Sequence, residues 1–269
     1  MADALLAQLA ALIDYGLLAD WWQRLLAGVA TTLEVVVISC GLGFVLAYPI
    51  CVARRSSHWL WSKLALGYVT FFRGTPLLCQ LYLVYYGAGE IRPFLTDIGI
   101  WWFFREAFYC SIFAFTLNTA AYQAEIMRGA LASVPKGQIE AARSLGLSAF
   151  RINRHVIWPQ ALLIALRPFG NEFISIIKAS ALTAIVTLQD LMGVTRIAFS
   201  RTFDFTIYLY CAIIFLIMTE LVRRVWNRIE RALSKHLLFT RAAAAAAEAE
   251  SVGPGRVPLT ATQGAVEPH

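Results

Sequence analysis

Five residues able to carry charge or make strong hydrogen bonds stand inside long apolar runs: Glu34, Arg73, Asn118, Glu172 and Lys178. Holding an ionised side chain near the centre of a bilayer costs at least about 2.5 kcal/mol on insertion scales, so groups kept there are candidates for a solute pathway. Arg73 is flanked by Gly74 and Pro76, which can break a helix and free backbone groups at membrane depth. It either holds a substrate carboxylate, pairs with Glu34 or braces the break. Glu172 and Lys178 are six residues apart, out of step with the three- and four-residue spacing of helix neighbours, so each is expected to have its own partner. Asn118 either lines the pathway or bonds to another helix. Glu125 and Arg128 are spaced as a local ion pair. Tyr82, Tyr85 and Tyr86 read as packing and interfacial belt more than as a cation cage.

Other chemistries lack their residues. His58, His155, His236 and His269 lie outside the apolar runs, with no nucleophile or ligand set near them. Cys40, Cys51, Cys79, Cys110 and Cys211 are single and unpaired in spacing, which supports neither a metal site nor a disulfide framework. They are expected to be small buried hydrophobes. No G-x-x-x-x-G-K-[ST] phosphate loop occurs, so ATP chemistry, if used, belongs to another chain. The expectation is a non-catalytic chain that binds no cofactor and no nucleic acid.

The elements that must position these residues are membrane helices. The chain is 59% hydrophobic and only 15% charged, against roughly a quarter charged in soluble domains. Apolar runs near the ~20 residues that cross a bilayer recur. Five spans are read: about 25–52, 59–87 (through the Gly74–Pro76 break), 105–127, 167–188 and 204–221. Residues 1–25 form an interfacial lead-in with Trp21 and Trp22 at headgroup level. An aromatic-rimmed loop covers 88–104, and 189–203 is a polar re-entry stretch that could hold a short helix. Residues 227–269 form a basic segment and a tail too poor in apolar residues to fold alone. No basic n-region opens the chain, so a cleaved signal peptide is not expected. Alternate connections differ sharply in Lys and Arg. One side carries Arg54, Arg55, Lys136, Arg143, Arg223, Arg224 and others; the opposite side has only Arg24, Arg92, Arg105, Arg196 and Arg201. The richer side is cytoplasmic, which puts the amino terminus outside and the carboxyl terminus inside.

The segment 129–166 then lies in the cytoplasm. Ser133 or Lys136-Gly137 can open a short helix and Gly146 can end it in the left-handed conformation, with Ser148 capping the next. Ile139, Ala142 and Leu145 recur at threes on one face. The small pair Ala141-Ala142 admits a close approach by another backbone, and Gly146 and Pro159 separate two helices. A helix resting on the bilayer surface and a docking helix both fit this pattern.

Glu140-Ala141-Ala142, three residues, Gly146, nine residues, Val156 and then Pro159 resemble the EAA loop of bacterial ABC-type import permeases, with Trp158 where that pattern has Leu. Phe72-Arg73-Gly74-Thr75-Pro76-Leu77, the run from Leu117 to Ile126, Asn171-Glu172, Thr183 and Asp190-Leu191 are similar to the polar amino acid permeases. Within them, the likeness is to the M-type subunit of histidine, basic amino acid and opine importers. It covers roughly residues 26–230. Where many relatives have Lys-Asp-Thr-Ser-Leu, this chain has Lys178-Ala179-Ser180-Ala181-Leu182, a departure that leans toward a basic amino acid or opine.

The resemblance implies an all-α polytopic membrane protein of the type I importer fold in the bacterial inner membrane. It implies coupling to an ATPase through Gly137, Glu140, Ala141, Ala142, Gly146 and Pro159. The partners implied are a second permease, identical or homologous, two ATP-binding cassette subunits that hold ATP and magnesium, and a periplasmic amino acid-binding protein. An ion-coupled transporter or channel using Glu34, Arg73 and Lys178 is the alternative, and a membrane scaffold a further one.

Overall fold

Apolar sequence and helix-compatible spacing produce a helical bundle. The computed structural model describes the backbone of residues 15–251 and the side chains of residues 16–233. Nearly all of it is helix: α1 Tyr15–Arg55, α2 Trp59–Gly74, α3 Leu77–Glu90, α4 Arg92–Asp97, α5 Trp101–Phe104, α6 Ala107–Ala132, α7 Lys136–Ser144, α8 Ala149–Ile152, a π turn Asn153–Ile157, α9 Trp158–Ala179, a 3-10 turn Ser180–Val186, α10 Leu191–Thr202 and α11 Thr206–Ser251. Among the described residues, three helical runs are long and apolar enough to cross a membrane by length and composition: Gly16–Arg55, Ala149–Val186 and Thr206–Leu233.

The bundle is organised around α1 and α6, its most extensively paired helices. The pairing follows from small residues. Ala120, Ala121 and Ala124 of α6 and Ala47 of α1 have no exposed surface. A Cβ on Gly43 would come within 2.5 Å of Thr119 Cγ2. Small side chains let membrane helices approach closely enough for dispersion and hydrogen bonding to hold them. Phe115 fills the centre of the main core with Val35, Val36, Leu81, Ile177 and Val186. Many of the large apolar side chains on α1 and α11, such as Val45 and Leu216, are exposed, as befits surfaces facing lipid.

Several boundaries differ from the sequence reading. The lead-in and first span are one helix from Tyr15, with Leu17, Trp21 and Leu25 buried along it; residues 1–14 lie outside the described residues. The break expected in the second span is present, because Pro76 ends α2 and starts α3. The loop 88–104 contains the short helices α4 and α5, joined across Gly99 at φ +76°. The short helix expected in the polar stretch 189–203 is present as α10, whose Leu191, Val194 and Ala198 are buried. Cys79 is exposed, unlike the other four cysteines.

The chain divides into two units, residues 1–226 and 227–269. In the second, helix continues to Ser251 through the Ala242–Ala247 run, where composition alone suggested an unstructured tail. Alanine's high helix propensity requires no packed core to express itself. Residues 252–269 lie outside the described residues.

Candidate functional site

Ala132 ends α6, and Pro135 then takes the N-cap position of α7 with extended backbone. Two hydrogen bonds close the far end of α7. Gly146 N–H donates to Arg143 O at 2.9 Å, and Leu147 N–H donates to Ala142 O at 3.2 Å. Gly146 sits at φ +73°. This is the Schellman arrangement, which satisfies terminal carbonyls and needs the left-handed conformation that glycine adopts without a Cβ penalty. The stop predicted at Gly146 is therefore where the helix ends.

The face of α7 differs from the expected one. Ala142 is buried, and Ile139 packs half-buried against the cluster of Met127, Val134, Ile157 and Trp158. Leu145, expected on that face, is 81% exposed because it already belongs to the turn. Gly137, Glu140, Ala141 and Ser144 point outward, at spacings of three, one and three. Ala141 and Ala142 thus do different things: Ala142 seats the helix on its own bundle, and Ala141 leaves the outer face shallow. Among the described residues no neighbouring atom lies within 4 Å of a Cβ built on Gly137, so none of them requires that residue to be small.

Pro159 does not separate two helices. Ser148 occupies the N-cap of α8 without a side-chain cap bond. The chain then runs through the π turn directly into α9, with Trp158 N–H bonded to Asn153 O. Pro159 stands in the first turn of α9, where its missing N–H is tolerated after the wider turn. The helical run is continuous from Ala149 to Val186.

Above the loop, Glu125 is held from two helices. Arg54 Nε of α1 donates to Oε1 at 3.1 Å, and Arg128 Nε donates to Oε2 at 2.8 Å. The expected Glu125–Arg128 pair is present, and Arg54 turns it into a clamp between α1 and α6. Arg54 counted in sequence only as a basic residue ending a span.

Deeper in the bundle the five candidates fall into separate settings. Asn118 is buried and braces the helix break. Its Nδ2 donates to Phe72 O at 3.0 Å and to Gln80 Oε1 at 2.9 Å. Gln80 Nε2 donates to Phe72 O, Thr75 O and Thr75 Oγ1 at 2.9, 3.1 and 2.8 Å. In an unbroken helix Phe72 O would accept from the residue four ahead, which is Pro76 and has no N–H. Side chains of α3 and α6 replace that lost donor.

Glu172 accepts from Thr119 Oγ1 at 2.9 Å, and Gln123 Nε2 donates to Thr119 Oγ1 and to Cys40 O, both at 3.1 Å. A polar cluster therefore joins α1, α6 and α9 around a carboxylate. Arg73 lies over the Tyr122 ring at 5.1 Å, and its charge reaches Glu172. Arg73 and Glu34 form no ion pair; Glu34 is exposed on α1. Lys178 is exposed on α9, away from Glu172, as their spacing requires. Tyr82, Tyr85 and Tyr86 pack on one another at 5.1–5.4 Å, and among the described residues no cation lies over them. Gln80, Thr119 and Gln123 were missed as functional residues. The signal was present, since Thr119 and Gln123 are four apart in an apolar helix and Gln80 follows Pro76 by four.

The chain as a whole is similar to known membrane transport components. Residues 39–235 match the family model "Binding-protein-dependent transport system inner membrane component". The nopaline transport system permease protein of Agrobacterium fabrum is 39% identical over 226 residues, covering 84% of this chain and 94% of the relative. The octopine transport system permease protein of Rhizobium meliloti is 40% identical over 210 residues, covering 78% and 85%. The histidine/lysine/arginine/ornithine permease of Escherichia coli K12 is 35% identical over 236 residues, covering 82% and 96%. Among solved structures, an amino acid ABC transporter described with histidines superposes with a TM-score of 0.73 at 32% identity, over 82% of this chain and 99% of that one. An inward-facing methionine transporter shares the fold, with a TM-score of 0.65 at 23% identity over 80% and 99%.

Proposed function

The chain belongs to the family of binding-protein-dependent transport system inner membrane components, and from that premise we propose that it moves an opine or basic amino acid inward. It is a multi-pass permease subunit of an ABC importer in the inner membrane, and it catalyses no covalent chemistry. ATP hydrolysis belongs to a partner ATPase, and delivery of solute belongs to a binding protein. The relatives named for nopaline, octopine and histidine/lysine/arginine/ornithine support the cationic substrate class. The finer assembly proposed is a second permease beside this one, identical or homologous, above two ATP-binding cassette subunits that hold ATP and magnesium. The exposed Glu34, Arg73 and Lys178 support such a neighbour, since charges at membrane depth need protein or a water-filled cavity rather than lipid.

One observation carries the coupling proposal: α7 is seated on the bundle through Ala142 and Ile139 while Gly137, Glu140, Ala141 and Ser144 face away from it. An ATPase cleft that grips this shallow face moves α7, and the helix moves α8, the π turn and α9 with it. Gly146 sets the angle between the gripped rod and the membrane helix, and Pro159 follows the turn that receives the push. In this reading the amino terminus lies in the periplasm and the carboxyl terminus in the cytoplasm. Glu172, Arg73, Glu34 and Lys178 line or flank the solute path, and Asn118 shapes it through the break at Pro76.

The test is co-purification and reconstitution of the chain with its neighbours. Glu140→Lys and Gly146→Pro should insert normally, lose ATPase association and stop uptake. Basic amino acids or opines delivered by the binding protein should stimulate ATP hydrolysis. Uptake that persists with α7 deleted, or that follows an ion gradient without ATP, overturns the proposal.

A further inference from the structure

At the opposite end of the bundle from α7, α1 and α10 run antiparallel. Leu191 N–H donates to Thr32 Oγ1 at 3.2 Å at one end of the pair. At the other end, Arg24 and Arg201 both lie against the ring of Trp21, with guanidinium carbons 4.9 and 5.9 Å from its centroid. Trp21 itself is buried. The helices enclose a cavity of ≈ 370 Å³. Arg24 and Ala27 descend one wall, and Arg201, Ile197 and Val194 descend the other. Each wall therefore starts with a cation at its outer rim and becomes apolar within a turn, ending at Thr31 and Gln189.

The charge in this cavity is unbalanced. Among the described residues, neither Arg24 nor Arg201 has a carboxylate within ion-pair distance. Asp20, one turn from Arg24, makes no ion pair with it, and the carboxylate of Asp204 is engaged by Thr206 N–H. Two cations held on one aromatic ring repel each other, and an anion between them relieves that repulsion. Exposed aromatics stand at the same end of the two helices: Trp22 at 48% follows Trp21, and Phe203 at 78% and Phe205 at 73% follow Arg201. Aromatic side chains with an apolar body settle at the headgroup level of a bilayer. A cationic rim, apolar walls leading toward the membrane interior and an aromatic border together match the shape and charge of an anionic phospholipid.

We propose that Arg24 and Arg201 clamp the phosphate of an anionic phospholipid, whose acyl chain lies along Ala27, Ile197 and Val194. Guanidinium groups suit phosphate because their planar fork donates two parallel hydrogen bonds. The site pins α10 to the first turns of α1. The leaflet is the outer one if the orientation proposed above holds, but lipid binding is read without reference to side, so the two ideas fail separately.

The experiment uses the chain co-purified with its partner subunits in a neutral detergent. Native mass spectrometry during titration with phosphatidylglycerol or phosphatidylcholine counts bound lipids. The wild type should take up one phosphatidylglycerol that R24Q/R201Q binds at least about tenfold more weakly, the loss expected from one charge-assisted contact. R92Q, which removes a cation stacked on Trp101, should bind as the wild type does. R24K/R201K keeps the charge without the fork and should fall between wild type and R24Q/R201Q, and it replaces the glutamine variant if that one does not assemble. Equal retention by wild type and R24Q/R201Q, or equal binding of phosphatidylcholine and phosphatidylglycerol, overturns the proposal. So does a double variant that keeps its lipid but loses stimulation by the binding protein, because the arginines would then be a protein contact.

Discussion

Replacing Asn118 with leucine removes two hydrogen bonds from the break between α2 and α3, those to Phe72 O and Gln80 Oε1. Phe72 O keeps one donor, Gln80 Nε2, while Gln80 Oε1 loses its donor from Asn118. A buried polar group left unsatisfied costs about 1–3 kcal/mol, so the single variant should lose stability within that range. Gln80→Leu should lose a similar amount, because Asn118 still covers Phe72 O but Thr75 O loses its side-chain donor. The double variant strips both donors from one carbonyl and also removes the two groups that depended on each other. Its cost should therefore depart from the sum by a coupling of about 0.6–1.7 kcal/mol, the range for hydrogen bonds between membrane helices. Unfolding in mixed micelles with rising denaturing detergent, followed by tryptophan fluorescence, measures all four corners of the cycle. Additivity within about 0.3 kcal/mol would show that the two side chains do not act together on the orphaned carbonyl, and the account of the break would fail.

Three further outcomes follow from other contacts. A Cβ on Gly170 would fall 2.4 Å from Trp226 Cδ1. Gly170→Val should displace the ring, break the 2.7 Å bond from Trp226 Nε1 to Leu166 O and cost about 1–3 kcal/mol by overpacking, read as a lower melting temperature. Glu125→Gln should weaken the hold on Arg54 and Arg128 by about 1–3 kcal/mol without blocking membrane insertion; unchanged detergent unfolding would show that the clamp contributes little. Burial pushes the Asp190 carboxyl up from 3.8 to about 6, and among the described residues its Oδ2 has no hydrogen-bond partner while Oδ1 accepts the Gly193 N–H. Protons are then bound more tightly in the folded chain than in the unfolded one. The contribution of Asp190 to stability should be greatest below about pH 4, fall as the pH rises toward 6 and level off above, a change of order 2–3 kcal/mol. Asp190→Asn, which can still cap α10, should flatten that slope, and an unchanged slope would assign it to another group.

Apolar run length, Pro76 and Gly146 made much of this architecture readable before any coordinates. Those features act locally: a missing N–H or a left-handed φ is decided by the residue itself. The five-span outline follows the apolar runs and marks the break between α2 and α3, but it detaches the lead-in of α1. Nothing in composition distinguishes a long helix leaving the bilayer from a helix followed by a loop. The direction of the face of α7 was half legible. Its Ile139 and Ala142 were identified, but the turn at Leu145 begins one residue before the glycine, so Leu145 points away. Pro159 misled because a proline usually ends a helix, and the preceding π turn that accommodates it depends on packing rather than on one residue's identity. Partnering of polar groups was least legible. The Arg54–Glu125 bond joins residues 71 positions apart, and the Gln123–Cys40 bond joins residues 83 apart. Such meetings are set by how whole helices lie against each other, which no local pattern records.

The uninterrupted run Ala149–Val186 has a mechanical corollary. Its 38 residues, at about 1.5 Å each, make a beam of roughly 57 Å. Swinging such a beam about one tip shifts the opposite tip by about 1 Å per degree of rotation. If the run swings as one body, a tilt of a few degrees at Ala149 carries the other tip, beside Thr187, by about as many ångström.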